Sequence, residues 1–259
     1  MNNAEAISDI SGKKIFFLYP SVVVQNRIIP ELVQQEHEVY VAKDKDSLKR
    51  ILKKYPNSVL FVDINEEMAE KEWEMWITAI MKSPEMKDVS IGIVTANDDE
   101  LIKRKYLLTV KVPCGYTTLK FELDKAITRI FEVLQKVNAK GRRKFIRATM
   151  DKDANATVNL PFQGMFIKGR IKDISVAGFS CTLEGDPDVP KNTLLKDIQV
   201  KLQSNILKLE GIVFGSRMDG KEKVYVFIFT QRVDHDTRAR IRRFIQQSMQ
   251  SKMDIELKQ

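Results

Sequence analysis

Residues 141–150, GRRKFIRATM, crowd Arg142, Arg143, Lys144 and Arg147 around the apolar pair Phe145-Ile146. Arginine carries a planar fork of donors that bonds in pairs to phosphate oxygens or to the O6/N7 edge of guanine, and it can also stack on a base. A second stretch, DISVAGF at 173–179, offers the carboxylate of Asp173 and the hydroxyl of Ser175. Its Gly178 permits a close backbone approach or a positive φ. A carboxylate beside arginines need not neutralise them, because it can accept hydrogen bonds from the N–H edge of a guanine. Read singly, the first stretch is also compatible with a solvated basic linker, and the second with an ordinary turn.

Other residues that could do chemistry are sparse. The two cysteines, Cys114 and Cys181, have no ligand-spaced partner, so neither a disulfide framework nor a zinc site is expected. Cys181 lies in an apolar run and reads as a small core residue. His37 and His235 are isolated, which leaves little for a nucleophile–base pair or a histidine metal site. No cofactor, no metal and no enzymatic activity are expected.

The 259 residues suit one or two domains. No apolar run approaches the ~20 residues of a membrane span. The opening MNNAEAISDISGKK lacks the pattern of a signal peptide, so a cytoplasmic protein is expected. The net charge of +8 is unevenly spread. Residues 1–139 hold 20 Lys+Arg against 21 Asp+Glu, and residues 140–259 hold 23 against 14. The cationic excess therefore lies in the C-terminal part, which points to an anionic partner there: a nucleotide, a nucleic acid or a membrane surface.

Residues 1–137 alternate two periods. KKIFFLY (13–19), HEVYVA (37–42), SVLFVDI (58–64) and VSIGIVT (89–95) read as strands, and TVKV (109–112) as a weak fifth. DSLKRILKKY (46–55), with Asp46 as a candidate cap, reads as a helix. So do EKEWEMWITAIMK (70–82), DDELIKRKYL (98–107) and LKFELDKAITRIFEVLQKV (119–137). The segment 24–35 is ambiguous because of Pro30. Trp73, Trp76, Ile77 and Ile80 share one helical stripe and are expected in the core. This alternation predicts an α/β domain, a parallel sheet flanked by helices. Past the linker at 138–150 the pattern becomes six short strands: 156–162, 165–175, 178–184, 195–202, 206–217 and 224–231. An Asp-Gly turn signal lies in MDGK (218–221). That predicts a small antiparallel barrel over 138–259. A terminal helix over 235–253 follows, with Asp236 as a candidate cap and Ile241, Phe244, Ile245, Ser248 and Met249 on one face. Its Arg238, Arg240, Arg242 and Arg243 read as a solvated basic face.

Arg143-x-x-x-Arg147 preceded by Arg142, then Asp173-x-Ser175-x-x-Gly178, resembles the two-part signature of PilZ domains, bacterial receptors for the cyclic dinucleotide c-di-GMP. The resemblance covers roughly 140–250. It implies that Arg143 and Arg147 grip phosphate and the guanine Hoogsteen edge, with Arg142 as an extra contact. It also implies that Asp173 and Ser175 hold a guanine, with room left by Gly178. The N-terminal part looks like a receiver domain of the two-component type. Asp63 stands at the phosphoacceptor place and Thr95 at the end of the fourth strand. The acidic pair expected after the first strand is replaced by Tyr19-Pro20-Ser21, and the expected Lys-Pro by Lys111-Val112-Pro113. Without that pair a metal would have poor ligands. The resemblance therefore implies a degenerate receiver with an interaction role, Asp63 being a vestigial phosphoacceptor.

The combined expectation is a c-di-GMP effector whose ligand reorients the domains and acts on an unknown output protein. A second copy of the chain is a candidate partner for the last turns of the terminal helix. Two alternatives stand beside it: a phosphorylation-dependent regulator using Asp63, and a basic nucleic-acid binder. Against the latter, the strands lack an exposed aromatic stacking pattern.

Overall fold

The computed structural model describes residues 12–65, 67–120, 122–150 and 156–259. Two compact units emerge, one taking in the chain up to Lys144 together with Met249–Gln259, the other Phe145–Ser248.

In the first unit β1 (Lys14–Leu18), β2 (Val39–Ala42), β3 (Ser58–Val62), β4 (Ser90–Thr95) and β5 (Tyr116–Thr118) form a parallel sheet in the order β2-β1-β3-β4-β5. All five residues of β3 are buried, as a strand covered on both faces requires. The helices are α1 (Ile29–Gln34), α2 (Lys45–Lys54), α3 (Glu70–Lys82), α4 (Glu100–Arg104) and α5 (Leu123–Lys136). Pro30 falls in the first turn of α1, where its missing N–H costs nothing. Asp44, rather than Asp46, caps α2, accepting from the Ser47 amide at 2.8 Å. On α3, Trp73, Ile77 and Ile80 are buried, and the Trp76 ring stands edge-on to Trp73 at 5.6 Å.

The fifth strand is not where the sequence suggested. Thr109 and Val110 finish a π-helical stretch that continues α4 from Lys105, and β5 begins six residues later, pairing Tyr116 with Ile93. Burial of Tyr106 and the bond from the Val112 amide to the Tyr106 carbonyl (3.1 Å) fix that stretch as helical. Packing here overrides the β-preference of a Thr-Val pair.

His37 is 5% exposed, with its ring 6.0 Å from that of Phe131. Burial, aided by the charge of Lys140, lowers its pKa to about 4. The folded imidazole thus stays neutral where an unfolded one, near pH 6.5, already takes up a proton. Stability from this group is complete above the unfolded value and is lost as pH falls towards the folded one. Urea unfolding at pH 5.5 is expected to show about 1 kcal/mol less stability than at pH 7.5 from this source. The difference should vanish in His37→Gln, and an undiminished difference in that variant would assign it elsewhere. The thiols are also buried: that of Cys114 is pushed up to about 12, and that of Cys181 well above its usual range.

In the second unit β7 (Ala156–Phe162), β8 (Met165–Ser175), β9 (Gly178–Leu183), β10 (Leu194–Leu202), β11 (Asn205–Asp219) and β12 (Glu222–Phe229) close a six-stranded antiparallel barrel. β9 returns to pair with β8. Alternate residues face inward, as Val158 and Leu160 do on β7, and the Phe179 and Phe227 rings stack at 4.8 Å in the core. A two-residue β6 (Ala148–Thr149) precedes the barrel. β7 pairs with β8 only from Met165 to Arg170, and β6 takes up Asp173 and Ile174 beyond it.

Helix α6 (His235–Lys258) buries Ile241, Phe244, Ile245 and Ser248 in this unit. Asp234 caps it, receiving both the amide (2.8 Å) and the hydroxyl (2.7 Å) of Thr237. Asp236, the residue the sequence suggested, instead pairs with Arg240 at 2.9 Å. The last turns of α6 belong to the first unit. There the Gln250 amide both donates to and accepts from the Val41 backbone at 2.9 Å, and Glu256 receives Lys54 (2.6 Å) and the Tyr55 hydroxyl (3.0 Å). Gln250 thereby occupies backbone groups of β2, an edge strand that would otherwise invite pairing. Among the described residues no helix is long and apolar enough to cross a membrane.

Candidate ligand-binding site

The β8–β9 hairpin builds half of the site. Ser175 pairs with Gly178 and Asp173 with Ser180, which leaves Val176-Ala177 as a two-residue loop. The ladder shifts register between Ile171 and Asp173, a bulge that changes which way the following side chains point. β6 supplies the other half. Thr149 lies opposite Asp173, and the Met150 amide bonds to the Lys172 carbonyl at 2.6 Å. This short pairing is what brings Arg147, the residue just before β6, to Asp173: Nη1 lies 3.8 Å from Oδ1.

The second carboxylate oxygen of Asp173 accepts a short hydrogen bond from the buried hydroxyl of Ser180. One oxygen is therefore held from the barrel wall, while the other faces a half-exposed arginine across an ion-pair distance too long for a hydrogen bond. Such a pair contributes little to stability and can open at small cost.

Ser175 is turned inward, 5% exposed. Its Oγ donates to the Gly178 carbonyl at 3.2 Å and accepts from the Ala177 amide at 3.3 Å, so the hydroxyl closes the turn. Gly178 has no positive φ. A Cβ there would lie 2.0 Å from the Phe227 carbonyl oxygen on β12, so the strands can meet only at glycine.

Arg147, Asp173, Ser175 and Gly178 thus converge on one end of the barrel. Arg142 and Arg143 are exposed on the irregular segment between α5 and β6. Asp63 belongs to the first unit, where it is 3% exposed. Its Oδ1 accepts from the Thr95 hydroxyl at 2.9 Å and from the Asn65 amide at 3.2 Å. Lys111, the displaced lysine of the receiver-like pattern, caps the π-helical stretch with φ 60°. Lys120, two residues after β5, pairs with Asp98 at 2.7 Å. No group of three or more His, Cys, Asp or Glu positioned for a metal occurs among the described residues.

Two residues escaped the sequence reading. Ser180 carried one signal, a small hydroxyl between Phe179 and Cys181 in a mostly apolar strand. Arg238 carried none, since it resembles the other arginines of α6. It is part-buried, and its guanidinium donates to three carbonyls: Val176 at 2.6 Å, Thr230 at 2.9 Å and Val233 at 3.2 Å. The expectation of a solvated basic face is therefore corrected at this position.

Residues 141–247 match the family model described as PilZ domain. Among solved structures, the chain is similar to the PilZ domain of YcgR with c-di-GMP from Escherichia coli, at 16% identity and a TM-score of 0.39, over 44% of this chain and 96% of that one. It is similar to the MrkH–c-di-GMP complex of K. pneumonia, at 16% identity and a TM-score of 0.39, over 47% of this chain and 57% of that one. It is also similar to the response regulator Rcp1 in its Mn²⁺-bound form, at 19% identity and a TM-score of 0.36, over 48% of this chain and 92% of that one. No curated protein matches the chain.

Proposed function

Starting from the PilZ domain carried by residues 141–247, we propose that this protein is a non-enzymatic receptor for c-di-GMP. The observation that carries the reading is the convergence of Arg147 and Asp173, each from one half of the two-part motif. c-di-GMP is a dianion bearing two guanines. Asp173 accepts from a guanine N–H edge, with its carboxylate held by Ser180. Arg147 and Arg143 take phosphate and the Hoogsteen edge, and Arg142 adds a stacking or phosphate contact. Ser175 and Gly178 serve the same site by building the turn. The ligand must displace Arg147 from Asp173, which the long ion pair allows.

Ordering the 142–147 segment costs roughly 1–2 kcal/mol per residue, and each charge-assisted bond returns about 1.5–3 kcal/mol, so several must form together. Binding reorients the first unit relative to the barrel and alters what the first unit contacts. Solution scattering should then differ with and without saturating ligand; identical curves would refute the reorientation.

In this reading the first unit is a receiver-like scaffold for protein contacts, and Asp63 is a structural carboxylate tied to Thr95 and Asn65. One comparison separates the classes: labelled c-di-GMP challenged with single-stranded DNA, alongside intact-mass measurement after acetyl phosphate. The expected result is c-di-GMP retained against excess DNA, and no mass increase. Displacement by DNA would favour the nucleic-acid reading, and a phosphoryl adduct at Asp63 the regulator reading.

A further inference from the structure

We infer that Arg238 is a positioning residue of the ligand site, holding the Val176-Ala177 loop in the form that presents Asp173. The inference deepens the proposed function and rests on it. The loop between Ser175 and Gly178 is only two residues long, so the Val176 carbonyl has no partner in the β8–β9 ladder. Val176 itself is 3% exposed, and a buried carbonyl without a donor is costly.

Arg238 supplies that donor from the first turns of α6, with Nη1 at 2.6 Å. Its Nη2 and Nε hold Thr230 and Val233, the residues through which the chain leaves β12 and enters the helix. The loop is also tied to β12, where the Phe229 amide donates to the Ala177 carbonyl at 2.8 Å. One fork thus fixes the loop against the barrel rim. The pairing Ser175↔Gly178, and two steps on Asp173↔Ser180, follow from where the loop lies. Arginine suits this task because a rigid fork reaches three acceptors at once, which a lysine ammonium on a flexible stem does not. Arg240, two residues on, pairs among the described residues with Asp236 alone, on the exposed face, and is the natural control.

The test compares Arg238→Lys, Arg238→Met and Arg240→Lys with the wild type, at a temperature where each is folded. Two readings are taken: the dissociation constant for c-di-GMP, and the amide resonances of Ala177, Gly178 and Ser180 without ligand. In Arg238→Lys affinity is expected to fall roughly ten-fold, the loss of one charge-assisted bond's worth of pre-organisation. The three resonances should move, while Arg240→Lys changes neither reading. Unchanged affinity in both Arg238 variants would overturn the inference, even if their melting temperatures drop, because that pattern marks a purely structural role. If the wild type binds no c-di-GMP, the proposed function falls. The resonances then decide alone: movement confined to the loop supports the hold of Arg238 on it, and unmoved resonances overturn it.

Discussion

Replacing Arg143 and Arg147 together with alanine is expected to lower the affinity for c-di-GMP about 100-fold or more, because at least two charge-assisted bonds are lost. The thermal midpoint should stay at the wild-type value. Arg143 is exposed, and Arg147 is half-exposed and, among the described residues, makes a long pair with Asp173, so neither side chain anchors a core. Asp173 is not left stranded by the change, since the Ser180 hydroxyl still holds it. Arg147→Ala alone should show the larger single effect, because β6 places that residue at the carboxylate. Lys144→Ala tests whether charge alone matters. A shift of no more than about three-fold is expected, since a lysine ammonium is a point charge and lacks the planar fork that bonds in pairs to phosphate or a guanine edge. If Lys144→Ala weakened binding as much as Arg147→Ala, the segment would be a non-specific polyanion patch.

Gly178→Ala should have the largest effect on the fold itself. Its new methyl group would sit 2.0 Å from the Phe227 carbonyl oxygen, a backbone atom that cannot swing aside. The barrel should lose about 2–3 kcal/mol or more, as overpacking does. For a domain of about 100 residues that is a fall of roughly 10 °C in melting temperature. The neighbouring loop should be displaced with it, so affinity falls as well. This experiment separates two uses of the glycine. Clearance for a bound base would leave the melting temperature unchanged and impair only binding. Close packing of β9 on β12 lowers both.

The two halves of the motif were legible in the sequence because each residue type advertises its chemistry: arginines in a cluster, a carboxylate and a glycine between strands. The barrel strands were legible because inward and outward residues alternate and short turns punctuate them. What could not be read were partners set by the fold. Arg238 finds its acceptors on residues as far as 62 positions away, and nothing in RARIRR (238–243) separates it from its neighbours. The inward turn of Ser175 depends on a loop geometry that the letters DISVAG do not fix. The capping errors have a common cause. Asp44 and Asp46, or Asp234 and Asp236, are equally good residue types, and only the position of the amide two or three residues on chooses between them. At 109–112 local preference favoured a strand, and the burial of Tyr106 overrode it.

The central claim, that this chain takes up c-di-GMP at the Arg147–Asp173 end of its barrel, is tested most directly by isothermal titration of the full chain with c-di-GMP. The wild type should give a saturable isotherm, and Asp173→Ala should nearly abolish it while keeping the melting temperature. A wild-type titration with no heat beyond dilution, or an Asp173→Ala isotherm that overlays it, would contradict the account.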